Sequence, residues 1–273
     1  MDIVMTVAGS DSGGGAGIQA DLKTFQELDV FGTSVITALT AQNTQGVDGI
    51  FPVDAEFVVQ QMAAVMRDMP VRAIKTGMLF SADIIRSVSD VLAKEDAFLV
   101  IDPVMIAKGG AVLLQQQAIE AMKAHLLPMA TILTPNIPEA SALSGIPISS
   151  EADIEEAANV LLHYGVECVV MKGGHLDGEK AADTAYFADG TKFTVVSERI
   201  QTTQTHGTGC TFSAALTAFL GKGLDIKTAV IEAKKFVHLA ISHPLNIGNG
   251  HGPTNHFAYR QFKKEAGVMV VET

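Results

Sequence analysis

With 273 residues, 48% of them hydrophobic, and a mean hydropathy of +0.28, the chain can bury a sizeable core, and nothing in its composition suggests disorder. A formal net charge of −11, a pI near 5.1 and no Lys/Arg run longer than a pair argue against nucleic acid or an anionic membrane surface as partner, while leaving anionic small molecules open. No apolar run reaches the length of a bilayer span, the first residues carry no basic leader with a cleavage site, and two cysteines, Cys168 and Cys210, are too few for a disulfide framework, so the expectation is a cytoplasmic protein with reduced thiols.

Short β-rich apolar runs alternate with amphipathic stretches. Ile3–Ala8 is the first strand expected; a glycine-rich loop from Gly9 to Gly17 leads into a helix over about Ile18–Leu28. Further strands are expected at Ser34–Leu39, Ala73–Thr76, Phe98–Ile101, Thr131–Leu133 and Cys168–Met171. Helices are expected near Glu56–Met66, Ala82–Ala93, Gln116–Leu126, Ile137–Leu143 and Glu151–His163. Continuous apolar strands separated by helices imply a mostly parallel sheet with helices on both faces, a doubly wound α/β fold. Thr184–Ala188 and Lys192–Val196, joined by Asp189-Gly190, depart from this pattern and read as a small β-hairpin. No linker or repeat divides the chain, which gives one domain over 1–262 and an expendable tail over 263–273.

Thr205-His206-Gly207-Thr208-Gly209-Cys210 runs without a break into a helical pattern in which Phe212, Leu216, Phe219 and Leu220 share one face. Its glycines therefore stand at a helix N-terminus, where unpaired N–H groups and the helix dipole suit a phosphate. A tight turn before a packed helix is the plainer alternative.

In open α/β sheets ligands bind beyond the carboxyl ends of the strands, and polar residues recur there: Asp11, Gln42 and Asn43, Lys75 to Met78, Asp102, Asn136 and Glu139, and Lys172. Each has an ordinary explanation as a cap, a turn residue or a solvated first-turn acid. Together on one sheet edge with the glycine loop, they describe a magnesium-nucleotide phosphoryl-transfer site. Neither G-x-x-x-x-G-K-[ST] nor G-x-G-x-x-G occurs, so neither a P-loop nor a dinucleotide fingerprint explains them.

Seven blocks in order carry a resemblance: Ala8 to Phe25 (AGSDSGGGAGIQADLKTF), Thr40 to Thr44 (TAQNT), Lys75 to Met78 (KTGM), Asp102 to Met105 (DPVM), Thr134 to Ala140 (TPNIPEA), Met171 to His175 (MKGGH) and Thr205 to Thr211 (THGTGCT). From Val4 to about Arg260 the chain resembles the hydroxymethylpyrimidine/phosphomethylpyrimidine kinases of the ribokinase-like superfamily. The resemblance implies the ribokinase-like doubly wound fold, ATP and Mg2+ as cofactors, and a homodimer. It also implies two ATP-dependent phosphorylations in thiamine biosynthesis, of 4-amino-5-hydroxymethyl-2-methylpyrimidine and then of its monophosphate.

By the same resemblance, Gly207, Thr208 and Gly209 form the anion hole for the transferring phosphoryl group, and Cys210 stands beside the substrate hydroxyl where the sugar kinases carry an aspartate. A thiol at a helix N-terminus has a lowered pKa, so Cys210 is expected to accept a proton at neutral pH. Glu139 and Asp102 organise magnesium with Asn136, Lys172, Asn136 and Thr205 meet the nucleotide, and Gln42, Asp21, Gly9 and Met78 line the pyrimidine pocket. Gln42 offers donor and acceptor in one plane, as an aminopyrimidine requires. Lys108-Gly109-Gly110 is either a cationic flap or a solvated loop. Two other activities stay open: a pyridoxine or pyridoxal kinase of the same superfamily, and a thiol hydrolase built on His206 and Cys210.

Overall fold

Side chains in the central strands alternate between two helix layers, and that period of two decides the architecture. In the computed structural model, which describes residues 1–105, 116–173 and 178–272, the pairs Val4/Met5, Ala73/Ile74, Val100/Leu99 and Cys168/Val169 each send one member to either side of the sheet. The elements in chain order are β1 (Ile3–Asp11), α1 (Gly17–Glu27), β2 (Phe31–Gln42), β3 (Val47–Pro52), α2 (Ala55–Met66), β4 (Val71–Thr76), α3 (Ala82–Leu92), β5 (Phe98–Ile101), α4 (Gln116–Ala121), β6 (Ile132–Leu133), α5 (Ile137–Ser144), α6 (Glu151–Leu162) and β7 (Cys168–Lys172). They continue through β8 (Lys180–Phe187), β9 (Lys192–Glu198), α7 (Thr208–Gly221), α8 (Ile226–Ser242), α9 (Ala258–Phe262) and β10 (Val268–Glu272).

The strands form one sheet in the order β10-β9-β8-β7-β6-β5-β4-β1-β2-β3. From β7 through β6, β5, β4 and β1 to β2 every pairing is parallel; β3 at one edge and β8, β9 and β10 at the other pair antiparallel. One apolar layer packs α2 to α6 against Met5, Val7, Ile74, Ile101 and Val169; the opposite layer packs α1 and α7 to α9 against Val4, Ala73, Val100 and Val170. α7 is buried along almost its whole length, because small Ala214, Ala215 and Ala218 let it lie close between the sheet and α8. The doubly wound sheet, the hairpin and the order of strands and helices agree with the sequence reading.

Four elements were absent from that reading, among them the short helix α9. β3 carries polar and exposed residues and takes its strand form from pairing with β2, Leu39 opposite Phe51. α8 is a long helix that continues the α7 layer. Residues 268–272, read as part of an expendable tail, instead form β10 and pair antiparallel with β9, Val268 opposite Ser197 and Glu272 opposite Phe193. The helix expected to run to Leu126 changes to a π-helical turn at Met122, shortly before Pro128, whose ring cannot continue an α-helix. Lys108-Gly109-Gly110, Gly174 and His175 lie outside the described residues.

Candidate active site

The carboxyl ends of the parallel strands point to one edge, where Asp11 closes β1, Gln42 closes β2, Thr76 closes β4 and Lys172 closes β7, with Asp102 one residue beyond β5. There they open onto a cavity of about 830 Å³. Gly9, Gln42, Met78, Asp102, Asn136, Glu139, Lys172, Thr205, Gly207, Thr208, Gly209 and Cys210 all line it. Asp21 does not, which corrects its expected place in the pyrimidine pocket. It sits on the inner face of α1 with no exposed surface, both carboxylate oxygens 2.8 Å from Lys75 Nζ and Oδ2 accepting the Thr6 hydroxyl at 2.6 Å.

The glycine loops are shaped by close approach. Gly207 is the N-cap of α7 at φ +80°, and a Cβ there would overlap the Gly15 carbonyl oxygen, so only glycine lets the two loops touch. α7 begins without an acidic residue in its first turn and without a side-chain cap, leaving its N-terminal dipole directed at the cavity. A Cβ on Gly209 would lie 3.3 Å from Lys172 Nζ and 3.7 Å from Asp102 Oδ2, which fixes how near this backbone stands to the charged wall.

Asp11 ties the second loop together. Its carboxylate accepts the backbone N–H groups of Gly13, Gly15 and Ala16 at 2.8–3.0 Å and faces His206 Nε2 at 2.9 Å. Burial alone would raise its pKa, but these bonds outweigh that effect and hold the carboxyl below the usual range.

At the other end of the cavity Asn136 caps α5. Its Oδ1 accepts from the Glu139 N–H at 2.9 Å, and Glu139 Oε2 accepts the Asn136 N–H at 2.8 Å in a reciprocal capping box. The capping reading and a site at the cavity wall are therefore both realised by the same two side chains. Burial pushes the Glu139 carboxyl up to about 7, against the opposing charge of Lys172. Lys172 Nζ donates to Asp102 Oδ1 at 3.1 Å, and the Ser213 hydroxyl donates to Oδ2 at 3.2 Å. For Lys172 burial favours the neutral amine, but the charges of Asp102 and Glu139 prevail and raise its pKa.

Cys210 departs from expectation. Burial is the largest influence on its thiol and drives the pKa up to about 11; Lys75 opposes that rise, while Asp102 and Asp21 add to it. Desolvation outweighs the opposing charge of Lys75, so the thiol holds its proton at neutral pH. His206 is engaged with Asp11 and Gln42, so the structure gives no support to a Cys210–His206 hydrolase pair.

Sequence reasoning passed over Ser213, Lys234, Asp183 and His238, which also face the cavity or its charged wall. Lys234 donates to Asp183 Oδ2 at 2.8 Å with both side chains at least nine-tenths buried. Lys234 shares the buried face of α8 with Val230 and Val237, but α8 was not among the expected elements, so its inward placement went unread.

Among the described residues no group of three or more His, Cys, Asp or Glu is clustered to cage a metal ion. Magnesium requires no such cage, since it keeps several waters and takes one or two carboxylates with substrate phosphates. The two carboxylates at this wall, Asp102 and Glu139, beside the anion-directed start of α7, fit that donor set.

A cavity at the carboxyl edge of a doubly wound sheet, with a helix start at one wall and paired carboxylates and lysine at another, defines a ribokinase-like small-molecule kinase. The sequence pattern described as "Phosphomethylpyrimidine kinase" matches residues 11–255, and the chain belongs to this family. It is 56% identical over 260 residues to the hydroxymethylpyrimidine/phosphomethylpyrimidine kinase of Haemophilus influenzae, covering 94% of this chain and 97% of that protein. It is 49% identical to the thiamine biosynthesis bifunctional protein ThiED of Geobacter sulfurreducens, over 93% of this chain and 52% of that longer one. Among solved structures, pyridoxal kinase from Staphylococcus aureus in complex with AMP-PCP and pyridoxal superposes with a TM-score of 0.91 at 38% identity, covering 100% of this chain and 99% of that one.

Proposed function

We propose that the chain transfers the terminal phosphoryl group of ATP to 4-amino-5-hydroxymethyl-2-methylpyrimidine and then to the resulting monophosphate, as a single kinase domain of thiamine biosynthesis. The observation that carries this reading is the convergence of the α7 start, the Asp102–Lys172 wall and Gln42 on one cavity. In this reading the acceptor binds at the β1–β2 end, with Gly9 and Met78 against the ring and Gln42 at its polar edge. The nucleotide phosphates lie toward Lys172, Asn136 and Thr205.

Phosphoryl transfer rests on positioning and electrostatics. The N–H groups at Gly207, Thr208 and Gly209 face the negative charge of the transferring group, and Lys172 swings from Asp102 to phosphate oxygens. Asp102 and Glu139 would hold Mg2+ through its water shell, and the ion when bound would supply neutralisation of phosphate charge. Cys210 keeps its proton and positions the substrate hydroxyl, whose own proton is lost late to solvent or to a phosphate oxygen. Asp21, through Lys75, keeps a positive charge beneath the thiol.

Phosphorylation of pyridoxal is a second reading, favoured by the likeness to the Staphylococcus aureus enzyme. The 56% identity to a pyrimidine kinase against 38% to that pyridoxal kinase supports the pyrimidine. An ATP-consumption assay over hydroxymethyl pyrimidines and pyridines decides between them: the expected result is turnover of the aminopyrimidine and its monophosphate with a higher kcat/KM than pyridoxal, and the reverse order would overturn the reading.

No helix among the described residues is long and apolar enough to cross a membrane. A cytoplasmic homodimer accords with free cysteines and with exposed Leu39, Phe51 and Phe57 around the β2–β3 edge. Light scattering at twice the 28.8 kDa chain mass is the expected result, and a monomer at micromolar concentration would count against it.

A further inference from the structure

We propose that His206 fixes which way round the Gln42 amide faces the cavity, and through that amide sets the preference for a 4-aminopyrimidine over its 4-oxo counterpart. The inference rests on the pyrimidine reading above for its consequence, but its first half concerns only the free protein.

His206 Nε2 stands 2.9 Å from Asp11 Oδ2 and 3.3 Å from the Gln42 side-chain Nε2. Two protonation patterns of the neutral ring are available, and the surroundings choose between them. If the proton sat on Nδ1, the Nε2 lone pair would confront the carboxylate at hydrogen-bond distance. Asp11 is held as a carboxylate by three backbone N–H groups, so Nε2 carries the proton and donates to it.

A second donor then cannot face Nε2. With the Gln42 Nε2 on that side, N–H would meet N–H. The same orientation places Gln42 Oε1 3.1 Å from the Thr40 hydroxyl, whose single proton also has the Ser10 carbonyl oxygen within 2.9 Å. Turning the amide over resolves both conflicts. Gln42 oxygen then shares the His206 Nε2–H with Asp11 in a three-centre bond, while Thr40 donates to Ser10 and accepts from the Gln42 NH2.

Each amide atom in that arrangement keeps one position for the cavity that Gln42 lines: a lone pair on oxygen and an N–H on nitrogen, side by side. A 4-aminopyrimidine presents the complement, an amino donor next to the N3 acceptor. The 4-oxo analogue reverses both, so it fits only the amide turned the other way, with His206 and Thr40 both mismatched. His206 touches no reacting atom in this scheme and is a positioning residue. The residue after it caps α7, so one histidine ties the pyrimidine edge, the Asp11 loop and the anion-binding helix start together.

Binding by calorimetry of the aminopyrimidine and of 5-hydroxymethyl-2-methylpyrimidin-4-one tests the second half. The wild type is expected to prefer the amino compound by about tenfold or more, the effect of mismatched buried hydrogen bonds. In His206→Phe, which keeps ring volume without the N–H, that ratio is expected to fall at least about tenfold, toward unity; an unchanged ratio overturns the proposal. The ratio is blind to a general loss of affinity from a loosened loop. If the wild type binds neither ring, the pyrimidine reading fails, and the first half is decided separately by 15N NMR of the wild-type imidazole. A proton on Nε2 of His206 supports the assignment, and an Nε2 that carries none overturns it, whatever becomes of the variant.

Discussion

Two Lys–Asp pairs stand within the same sheet edge and serve different ends. Lys75 and Asp21 have no exposed side-chain surface, are joined by two 2.8 Å contacts and are closed off by Thr6. Lys172 and Asp102 are joined by a single longer contact of 3.1 Å; the lysine is 15% exposed and lies against Gly209 on the cavity wall. Lys75 reaches the cavity wall but presents no exposed surface and is held by both oxygens of Asp21, so the attraction of this pair is spent offsetting desolvation, and its role is to hold charge in place. The second has one partner that a phosphate can replace. The residue types alone carry no such distinction; access to ligand makes it.

The largest effect expected from breaking the comparison is on the sealed pair. Lys75→Met leaves Asp21 buried and unpaired and should cost about 3–5 kcal/mol, read as a drop in Tm of roughly 10 °C; combining it with Asp21→Leu should recover a good part of that loss. A single variant as stable as wild type would show that the pair is no strut. For the open pair the effect should move to catalysis: Lys172→Met is expected to lower turnover about 10²–10³-fold with little change in Tm. Equal losses of stability in the two lysine variants would erase the distinction drawn here.

Sealed groups without a charged partner sharpen it further. His256 is buried beside Thr211, 3.1 Å from its hydroxyl, and burial, with Lys23 adding to it, depresses the imidazole to about 4. The native state thus resists protonation that the unfolded chain accepts near 6.5, so this contribution is complete above pH 6.5 and is lost as pH falls toward 4. It should amount to about 3 kcal/mol, and denaturant melts of wild type and His256→Gln should converge with acidity.

The smallest effect expected is at Cys210. A thiol pushed up to about 11 should be alkylated at a rate that keeps rising above pH 9, and bound pyrimidine should protect it. Because so little thiolate exists at neutral pH, Cys210→Ala should lose only about tenfold to a hundredfold in turnover, at or below the lower end of the range for removal of a general base. A plateau of alkylation near pH 8.5 would restore the reading of Cys210 as an activated base.

The strands that build the site were legible because their apolar runs are continuous, and the residues just past them were legible because an open sheet places ligands there. Gln42 and Lys172 were found that way, the Gly207 to Cys210 turn from the helical pattern that follows it, and all reach the cavity. β3 and β10 were not legible, since each is half exposed or more and acquires strand form from its neighbour. Asp21 was misplaced for a related reason: a helix residue in a motif beside the pocket can point inward as easily as outward, and Lys75 drew it inward.

By itself the sequence determined the doubly wound sheet, its cavity edge and the family, because periodicity, glycine spacing and block order are local properties written along the chain. The protonation of Cys210, the sealing of Asp21 by Lys75 and the tie from His206 to Asp11 and Gln42 were decided only in three dimensions. Desolvation and hydrogen-bond partnership depend on which distant segments close over a group, and His206 meets Asp11 across 195 residues of chain.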